Sequence, residues 1–403
     1  MVYKKISIVA IVLFITSSTA YGAFFDIGEG ARPQGMGRAF VAVADDANAL
    51  FYNTAGITQI DKVTGTSTYT RLYVGIPGLN DGSAAVVFPL GKIGVPGYIG
   101  ASATHFNLSD TSAASYRETT VGLSYAYKLN EIGLVNNILG SHILSVGAKI
   151  KGYNVKYGAN EWTDINPVFG TNSDKTNKWG FGGDISFFYQ PPVKGLTGGV
   201  TLENIPQPDM GLDSENKVPY MVRIGAAYRI SEQLLTSFEA DYRGLNFKPK
   251  IDQTGKFHVG TEYWFSRTTL DSIYLSYGDI ALRTGFGIGS NKYSNASLGF
   301  SYKAKIPYGG VDAQLDYAFV WPFNFVEGLS GTHRVSLNIM ESEVPKLEWK
   351  KQEVIELEQE PVSGTEVKPG EVVPEETEPE VKPEETKPEQ AEPEAEPEES
   401  PER

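Results

Sequence analysis

A strict two-residue alternation of apolar and polar side chains runs through most of the sequence between residues 64 and 340. In TVGLSYAYKL, Val121, Leu123 and Tyr125 fall on one side and Gly122 on the other, and WGFGGDISFFYQ, KFHVGTEYWF and VDAQLDYAFV repeat the pattern. A period of two is that of a β-strand, in which successive side chains point to opposite faces of the sheet. The pattern therefore predicts an all-β protein whose strands each have one apolar face.

Three further features favour a transmembrane antiparallel β-barrel over a soluble β-sandwich. The alternating runs are about 9 to 13 residues long, whereas strands of globular proteins average about 5 or 6 residues and a tilted membrane strand needs about 9 to 11. Tyr, Phe and Trp cluster toward the ends of the apolar face, as in the aromatic girdles of membrane barrels. The opposite face carries charges of both signs, which fits a wet or plugged lumen: Lys149, Lys151, Asp184, Arg223, Arg229, Glu239, Asp241, Glu262, Arg283 and Arg334.

The predicted barrel (residues 64–340) has 14 strands, an even number, as single-chain bacterial barrels have. The short run 273–277 is assigned to a connection, and LNEIGLVNNILG is predicted to hold a small periplasmic helix. With the N-terminus in the periplasm, the long connections 157–178 and 203–219 lie outside the cell and several short turns lie inside. The strands are predicted at residues 64–73, 82–90, 97–106, 117–129, 142–157, 178–190, 195–203, 219–230, 235–243, 256–265, 280–288, 295–303, 310–319 and 332–340.

The two ends of the chain differ from the barrel region. Residues 1–22 have the basic start, short apolar run and small-residue end of a secretory signal peptide, which predicts export to the outer membrane. Residues 341–403 contain 22 acidic and 7 basic side chains, a net charge of −15, whereas the whole chain carries −14. Such a segment buries too little apolar surface to offset the entropy of ordering, so a disordered periplasmic tail is predicted. The tail is either a solvated extension or a spacer that docks on a periplasmic partner.

Residues 23–63 are predicted to form a small N-terminal hatch, or plug, inside the barrel. The Gly-rich stretch GARPQGMGRAF is not a nucleotide-binding loop, because the third glycine is missing and no buried strand precedes it. Gly35 and Gly37 instead allow tight backbone turns close to the barrel wall. Asp45 is predicted to cap a short helix that ends at Tyr52.

Residues at the end of that helix and charged residues of the plug are also assigned roles. Asn53 and Gly56 stand where a helix end needs a left-handed residue. Arg32, Arg38, Asp45 and Asp46 are expected to pair with luminal charges. The candidate plug and gating residues are therefore Arg32, Gly35, Gly37, Arg38, Asp45, Asp46, Asn53, Ala55 and Gly56.

The stretch GARPQGMGRAFVAVADDANALFYNTAG resembles the N-terminal signature of the FadL-type outer-membrane transport proteins, and more closely that of their PorV/PorQ-like relatives. VPYMVRIGAAYRI, FHVGTEYWF, LRTGFGIG, LDYAFV and GTHRVSL resemble the PorV/PorQ group as well. The match covers residues 26–340 and leaves out the acidic tail. It implies a fourteen-stranded barrel with an N-terminal hatch. This chain has Thr54 where the family usually has proline, which frees the local backbone and departs from a rigid hatch turn.

The residue types predict no enzyme, no cofactor and no metal site. The sequence has no cysteine, and its four histidines lack the spacing of metal ligands: His105, His142, His258 and His333. No nucleophile is placed beside a base, so catalytic residues are not predicted. No basic patch accompanies the aromatic residues, so nucleic acid is not an expected partner.

Two functions of different classes are consistent with the sequence. As the FadL resemblance implies, the barrel would pass small hydrophobic molecules across the outer membrane, with lipids around it and a moving hatch or a strand gap as the gate. Gly97 and Gly100 are the candidate gap, because glycine weakens a strand interior. As the PorV/PorQ resemblance implies, the barrel would instead be a scaffold or shuttle for secreted proteins. A structural barrel whose tail contacts periplasmic partners is the third alternative.

Overall fold

The computed structural model describes residues 24, 26–109, 115–158, 168, 176–212, 215–244, 254–265, 278–306, 310–324 and 330–342. Fourteen antiparallel strands form a closed barrel in which each strand pairs with its neighbours in sequence and β1 pairs with β14. They are β1 Thr64–Arg71, β2 Leu79–Pro89, β3 Tyr98–Ser109, β4 Ser115–Lys128, β5 Ile143–Tyr157, β6 Asn177–Gln190, β7 Leu196–Glu203, β8 Met221–Arg229, β9 Leu234–Arg243, β10 Thr254–Trp264, β11 Gly278–Gly289, β12 Ser294–Ile306, β13 Val311–Pro322 and β14 Thr332–Glu341.

The prediction of an all-β, fourteen-stranded barrel is confirmed. The helical segments are short: α1 Ala31–Gly35, α2 Ala49–Tyr52 and α3 Gly133–Leu139, with 3₁₀ turns at Thr54–Gln59, Leu90–Ile93 and Leu129–Glu131. The helix α3 lies within LNEIGLVNNILG, as predicted. Within the described residues, no helix has the length and apolar character needed to cross a membrane. The predicted signal peptide (1–22), the run 273–277 and the acidic tail after residue 342 lie outside the described residues.

The alternation of the sequence becomes an apolar outer face and a polar inner face. On β4, Val121, Leu123 and Tyr125 are exposed on the outside of the barrel, whereas Ser124 is buried inside. Large apolar side chains are likewise exposed on the outer faces of the other strands, up to 73% for Phe181. An outward-facing apolar band with a polar interior is the arrangement of a barrel that is surrounded by lipid.

The barrel has a loop end and a turn end, which differ in the connections that they carry. The loop end is where β1 finishes and β2 begins, and it includes the connections β5–β6 and β7–β8. The turn end is where β2 finishes and β3 begins, and it includes the connection β6–β7 and α3. The segment before β1 (residues 26–60), called the plug below, lies inside the barrel and reaches β1 at the turn end.

Candidate functional site

The plug fills the lumen and has its own apolar core. Met36, Phe40, Leu50, Tyr52 and Ile57 are all 2% exposed or less. They pack in two clusters that also include small side chains of the inner wall, such as Ala85, Ala126 and Ala227. The wall also contributes the larger side chains Val87, Tyr98, Phe188 and Leu235, so plug and wall share their apolar clusters without a sheet or a long helix between them.

Arg32 fixes the plug to β10 through a buried ionic network. Its Nε lies 2.8 Å from Glu262 Oε2 and its Nη2 lies 2.9 Å from Glu262 Oε1, a bidentate contact. Arg283 of β11 donates to the same carboxylate from Nε at 2.6 Å. On the plug side, Arg32 Nη1 contacts Asp45 Oδ1 at 2.5 Å and Asp46 Oδ2 at 2.8 Å. Three carboxylates therefore surround one guanidinium, and removal of one partner would leave buried charge uncompensated.

A second network joins the start of the plug to β7, β8 and β9. Asp26 forms an ion pair with Arg38 of the plug and lies 2.8 Å from Arg223 Nη2. Arg223 also contacts Glu203 at 2.6 Å and Glu239 at 3.3 Å. Burial raises the pKa of Asp26, but the adjacent Arg223 and Arg38 outweigh burial and hold this pKa well below its ordinary value. Asp26 is therefore an ionised anchor at neutral pH.

The inner wall also satisfies the irregular backbone of the plug. Glu239 Oε2 accepts hydrogen bonds of 2.8 Å from the backbone N–H groups of Phe40 and Val41. Further plug N–H groups donate to serines on three strands, in the pairs Ala31–Ser336, Gly37–Ser297 and Ala55–Ser186, at 2.8 to 3.0 Å. Buried backbone groups need partners, so these wall side chains specify where the plug sits.

Inward-facing glycines let the plug backbone touch the wall. A Cβ at Gly285 would lie 2.0 Å from Gly37 N, and one at Gly260 would lie 2.2 Å from Met36 O. Gly37 has φ +61°, which a residue with a side chain adopts at a cost. Gly35 of α1 also lies close to the wall, since its Cβ would lie 3.0 Å from Gly299 Cα. The wall glycines that face the plug in this way are Gly100, Gly147, Gly199, Gly225, Gly260, Gly285 and Gly299.

The predicted helix cap at Asp45 is wrong. The helix α2 begins after Asn48 and no side chain caps it. Asp46 Oδ1 instead accepts from the backbone N–H of Asn48 at 2.8 Å, before the helix. Asp45 does not cap the helix because its carboxylate binds Arg32 and lies 3.6 Å from Arg229 Nη2 at the turn end.

The predicted left-handed residues after α2 are also wrong. Asn53 is extended, with φ −154°, and its Oδ1 accepts from Ala55 N at 3.1 Å to start the 3₁₀ turn. Its Nδ2 donates to Val41 O at 2.8 Å and to Phe187 O at 3.0 Å, so this side chain joins two parts of the plug to β6. Gly56 has no positive φ and instead makes room for Ala44, to which its Cβ would lie at 2.4 Å. Tertiary contacts replace the local C-cap, and Thr54 starts this 3₁₀ turn where the resembling family has proline.

The wall is continuous at the predicted gap in β3. Gly97 precedes the strand, and Gly100 is paired with Val87 of β2 on one side and with Ser124 of β4 on the other. Gly100 makes room for the plug, since a Cβ there would lie 2.6 Å from Leu50 Cδ2. Steric access for the plug, rather than weakened pairing, explains this glycine.

The wall does lose pairing between β6 and β7. The ladder runs from Tyr189 paired with Gly198 to Asp184 paired with Glu203, and the loop-end half of β6 (residues 177–183) has no β7 partner among the described residues. Residues 204–212 and 215–219, called the window hairpin below, pack against the inner face of this half of β6. A Cβ at Gly180 of β6 would lie 2.9 Å from Pro208 Cβ and 2.6 Å from Met210 Sδ. The window between β6 and β7 is thus closed by a loop and not by a strand.

Asn204 holds the window hairpin at its base. Its Oδ1 accepts from Lys151 Nζ at 2.8 Å and from the Tyr153 hydroxyl at 2.7 Å, and its Nδ2 donates to Pro219 O at 2.7 Å. Its backbone N–H donates to Asp184 Oδ1 at 3.0 Å, and this carboxylate also binds Lys151 at 2.6 Å. Met210 and Val218 add a small apolar cluster with Tyr153. The side chain of Asn204 therefore connects β5 with both ends of the hairpin, and its backbone N–H adds the contact with β6.

Two cavities meet at the window. The vestibule, a cavity of about 490 Å³ at the loop end, lies over the plug and is lined by aromatic and charged side chains of β2–β9. A groove of about 960 Å³ lies on the outer wall of β2–β6, with an almost wholly apolar lining that includes Trp179, Phe181, Ile205 and Pro206. Lys151 lines both cavities. The groove reaches the window at Gly183 and Ile205, and the vestibule reaches it at the adjacent residues Asp184 and Asn204.

The sequence placed Lys149, Lys151, Asp184 and Arg223 of the vestibule in the lumen, but it did not single out the other residues discussed for the window and the vestibule. Glu203 and Asn204 stand in LENIPQPDM, which reads as an ordinary Pro-rich connection. Asp26 and Glu29 stand in DIGEG, directly before the recognised motif. The paired glycines Gly182 and Gly183 inside a strand were a usable signal, because glycine in a strand interior marks a bulge or a close approach. Among the described residues, no group of three His, Asp or Glu side chains is placed to hold a metal ion.

The barrel is similar to solved structures of outer-membrane channels. A TodX deltaS2S3 mutant, described as a monoaromatic hydrocarbon channel, has a TM-score of 0.51 and 10% identity, over 78% of this chain and 99% of that one. The P. putida toluene transporter TodX has a TM-score of 0.50 and 11% identity, over 78% and 98%. No protein-family model matches the sequence, and no curated protein matches it. The comparisons show a shared barrel fold, and the PorV/PorQ-like resemblance stays a prediction.

Proposed function

We propose that this protein is an outer-membrane transporter that admits small hydrophobic molecules at the loop end and releases them sideways, through the window between β6 and β7, into the membrane. The observation that carries the proposal is the coincidence of three features at one point of the wall. There the strand pairing ends, the vestibule lies inside, and the apolar groove lies outside. An apolar molecule that leaves by this route passes from a cavity to lipid without crossing the plug.

A route straight through the plug is the less favourable path for such a molecule. The ionic networks of Arg32 and Arg223 lie across the lumen, and their charges are buried. An apolar solute would have to separate buried ion pairs, and each broken pair costs about 3–5 kcal/mol. Opening the window instead requires the loss of a few hydrogen bonds, worth about 0.5–1.5 kcal/mol each, or about 1.5–3 where one group is charged. It also separates the partly exposed pair Lys178–Asp209, and a pair of this kind is worth about 0–1 kcal/mol.

The gate in this proposal is the window hairpin, with Asn204 as its latch. Movement of the hairpin away from Gly180 would open the wall above Asp184, where β7 no longer pairs with β6. The plug then acts as the floor of the vestibule and holds the substrate at the height of the window. The plug residues Arg32, Gly35, Gly37, Arg38, Asp45, Asp46, Asn53, Ala55 and Gly56 serve to seat that floor rather than to gate.

The known structures support the substrate class and the location. TodX is a toluene transporter by description, and its barrel shares this fold. The loop end faces the outside of the cell in this proposal, because long connections lie on that side in outer-membrane barrels. This orientation places the start of the acidic tail, after Glu341, in the periplasm, where it is free to contact a partner.

The proposal is tested by uptake of radiolabelled toluene into intact Gram-negative cells that produce either the wild-type protein or none. The lipopolysaccharide leaflet slows apolar solutes, so a transporter should raise the initial rate several-fold at equal amounts of folded barrel. An Asn204→Ala barrel should differ from wild type in this rate. If the rate is the same with and without the protein, and secreted proteins instead copurify with the barrel in fixed ratio, the scaffold hypothesis replaces the transporter.

A further inference from the structure

The outer wall carries a pair of cationic side chains at the loop end. Arg117 of β4 and Lys156 of β5 stand directly opposite each other in the strand pairing. Both are exposed, and both face away from the lumen, since the neighbouring residues Glu118 and Val155 face inward. Like charges directly opposite each other on one face of a sheet repel, so an anion placed between them would be stabilised.

The protein does not neutralise these two charges within the part of the chain that the structure describes. Arg117 donates from Nε to Asn107 Oδ1 at 3.2 Å, which holds its guanidinium beside β3. Neither Arg117 nor Lys156 forms an ion pair with a described carboxylate. The residues paired with them on the far sides are the neutral Asn107 and Asn177. Two positive charges therefore face the surroundings of the barrel.

The apolar groove on the outer wall begins below this cationic pair. Four positions along the same strands, Val121 and Gly152 are paired with each other and line the groove. At about 3.3 Å per residue, this is about 13 Å from the cations along the strands. Trp179 of β6 stands between the two levels, two positions before Phe181 of the groove. Tryptophan concentrates at the membrane–water interface, so the cations lie at the level of lipid headgroups and the groove lies in hydrocarbon.

Small side chains make the groove wide and shallow. Ala84, Ala103, Val121 and Gly152 follow one another across β2, β3, β4 and β5, and Phe181, 73% exposed, stands at the side of β6. A Cβ at Gly152 would lie 3.4 Å from Val121 Cγ2 and 3.8 Å from Phe181 Cε1, so this glycine opens space on the outer face. Since neighbouring strands lie about 4.8 Å apart, the groove spans about 19 Å, much wider than one acyl chain.

We propose that this face binds one molecule of lipid A, the phosphorylated glycolipid of the outer leaflet, with a phosphate held by Arg117 and Lys156 and acyl chains in the groove. Arginine and lysine both recognise phosphate, and basic sites at headgroup level are a recurrent form of lipid recognition. The width of the groove favours lipid A, which has several chains, over a phospholipid with two. The inference rests on the proposed function for the outward orientation of the loop end.

The bound lipid would lie against the window. The groove reaches the window at Gly183 and Ile205, so acyl chains in the groove form the surface that a released molecule meets first. Binding of the lipid itself requires no substrate. The inference therefore goes beyond transport, because it assigns a specific lipid partner to the outer wall.

The test uses native mass spectrometry of the full-length protein in detergent with two probes, lipid A and lipid A from which the phosphates have been removed. Wild type should bind one lipid A at least about tenfold more tightly than the dephosphorylated form, the difference expected for hydrogen bonds to one charged group. Arg117→Gln with Lys156→Gln should remove this preference. Gly152→Leu fills the groove, so it should weaken binding of both probes equally and keep the preference.

Two matched controls separate these effects from general changes of the surface. Lys292→Gln removes an exposed cation of the β11–β12 connection, which lies outside the groove. Gly198→Leu adds a side chain to the outer face of β7, where the nearest atom to a Cβ is 3.8 Å away and the residue does not line the groove. Both variants should bind the two probes as wild type does.

The preference of the wild-type protein keeps the test decisive even if a variant fails to fold. Equal affinity for the two probes overturns the inference, and so does a preference that survives in Arg117→Gln with Lys156→Gln. Tighter retention of phosphatidylglycerol than of lipid A from an equal mixture overturns the choice of lipid A. Toluene uptake together with equal affinity would overturn this inference and leave the proposed transport standing. A clear preference for lipid A without any uptake would support the lipid site and count against transport.

Discussion

The seat of the plug and the window between β6 and β7 close the same lumen by different means. At the seat, buried ion pairs such as Arg32–Glu262 and backbone-to-side-chain hydrogen bonds fix an irregular segment against glycines of the wall. At the window, Asn204, a small apolar cluster, one backbone hydrogen bond from Ile205 to Gly183 and the partly exposed contacts of Lys178 hold a hairpin beside the unpaired half of β6. Movement should therefore occur at the window, because fewer and weaker interactions must be broken there.

The largest expected effect is the loss of the plug seat in Glu262→Gln. Arg32 and Arg283 would lose their shared carboxylate in a buried site, at a cost of about 3–5 kcal/mol. We expect faster amide hydrogen exchange across residues 26–60, measured by mass spectrometry in detergent. Glu232→Gln, at an exposed turn, is the matched control. Unchanged exchange of the plug in Glu262→Gln would show that the seat does not depend on this network.

A second way to disturb the seat is Gly285→Ala. The added Cβ would lie 2.0 Å from Gly37 N, in backbone that has no side chain to rotate away. Overpacking of this kind costs about 1–3 kcal/mol, so the plug should exchange faster and single-channel conductance should rise. Gly198→Ala is the control, because its nearest atom is 3.8 Å away. Equal behaviour of the two variants would contradict the close packing of plug and wall.

The window should respond to Asn204→Ala without any change at the seat. The substitution removes three side-chain hydrogen bonds, after which Lys151 keeps its ion pair with Asp184. The expected cost is about 1–3 kcal/mol. Exchange should accelerate in residues 204–219 while the plug keeps its protection. Asn154→Ala, on the same strand as Lys151, serves as the control. Faster exchange in the plug as well would mean that the two regions open as one unit.

The smallest effect is the pH dependence of the Asp26 anchor. Its pKa in the folded protein lies below the ordinary value of 3.8, so its contribution to stability is complete above about pH 4 and is lost as pH falls through the lowered pKa. The difference in free energy of unfolding between wild type and Asp26→Asn should be constant from pH 7 to about pH 4 and shrink below that. A difference that changes between pH 5 and 7 would assign the effect to another group.

The barrel was predictable from sequence, and the seat of the plug was not. Period-two alternation over nine or more residues is a local property, so the strands could be assigned one at a time. The contacts of the plug join residues far apart in the chain, such as Ala31 with Ser336 and Arg32 with Glu262, which are 305 and 230 positions apart. Local rules for helix caps placed Asp45 and Gly56 incorrectly because these distant contacts override them.

The window was missed for a related reason. A strand that lacks a partner over half its length has the same alternation as a fully paired strand, so Trp179 and Phe181 on β6 gave no sign of it. The predicted gap relied on Gly100, yet this glycine serves the close approach of Leu50. Glycines on the inner face of this barrel mark where the plug touches the wall, and sequence alone does not separate that role from weakened pairing.

The most direct test of the central claim is a reversible crosslink across the window. The chain has no cysteine, so Gly180→Cys with Pro208→Cys gives one pair, whose Cβ atoms lie close enough to form a disulfide after a small shift. Val41→Cys with Gly225→Cys locks the plug to the wall as the matched control. We predict that oxidation of the window pair abolishes toluene uptake and that reduction restores it, while the plug crosslink leaves uptake intact. Uptake that survives the window crosslink and stops with the plug crosslink would contradict lateral release and establish a route through the plug.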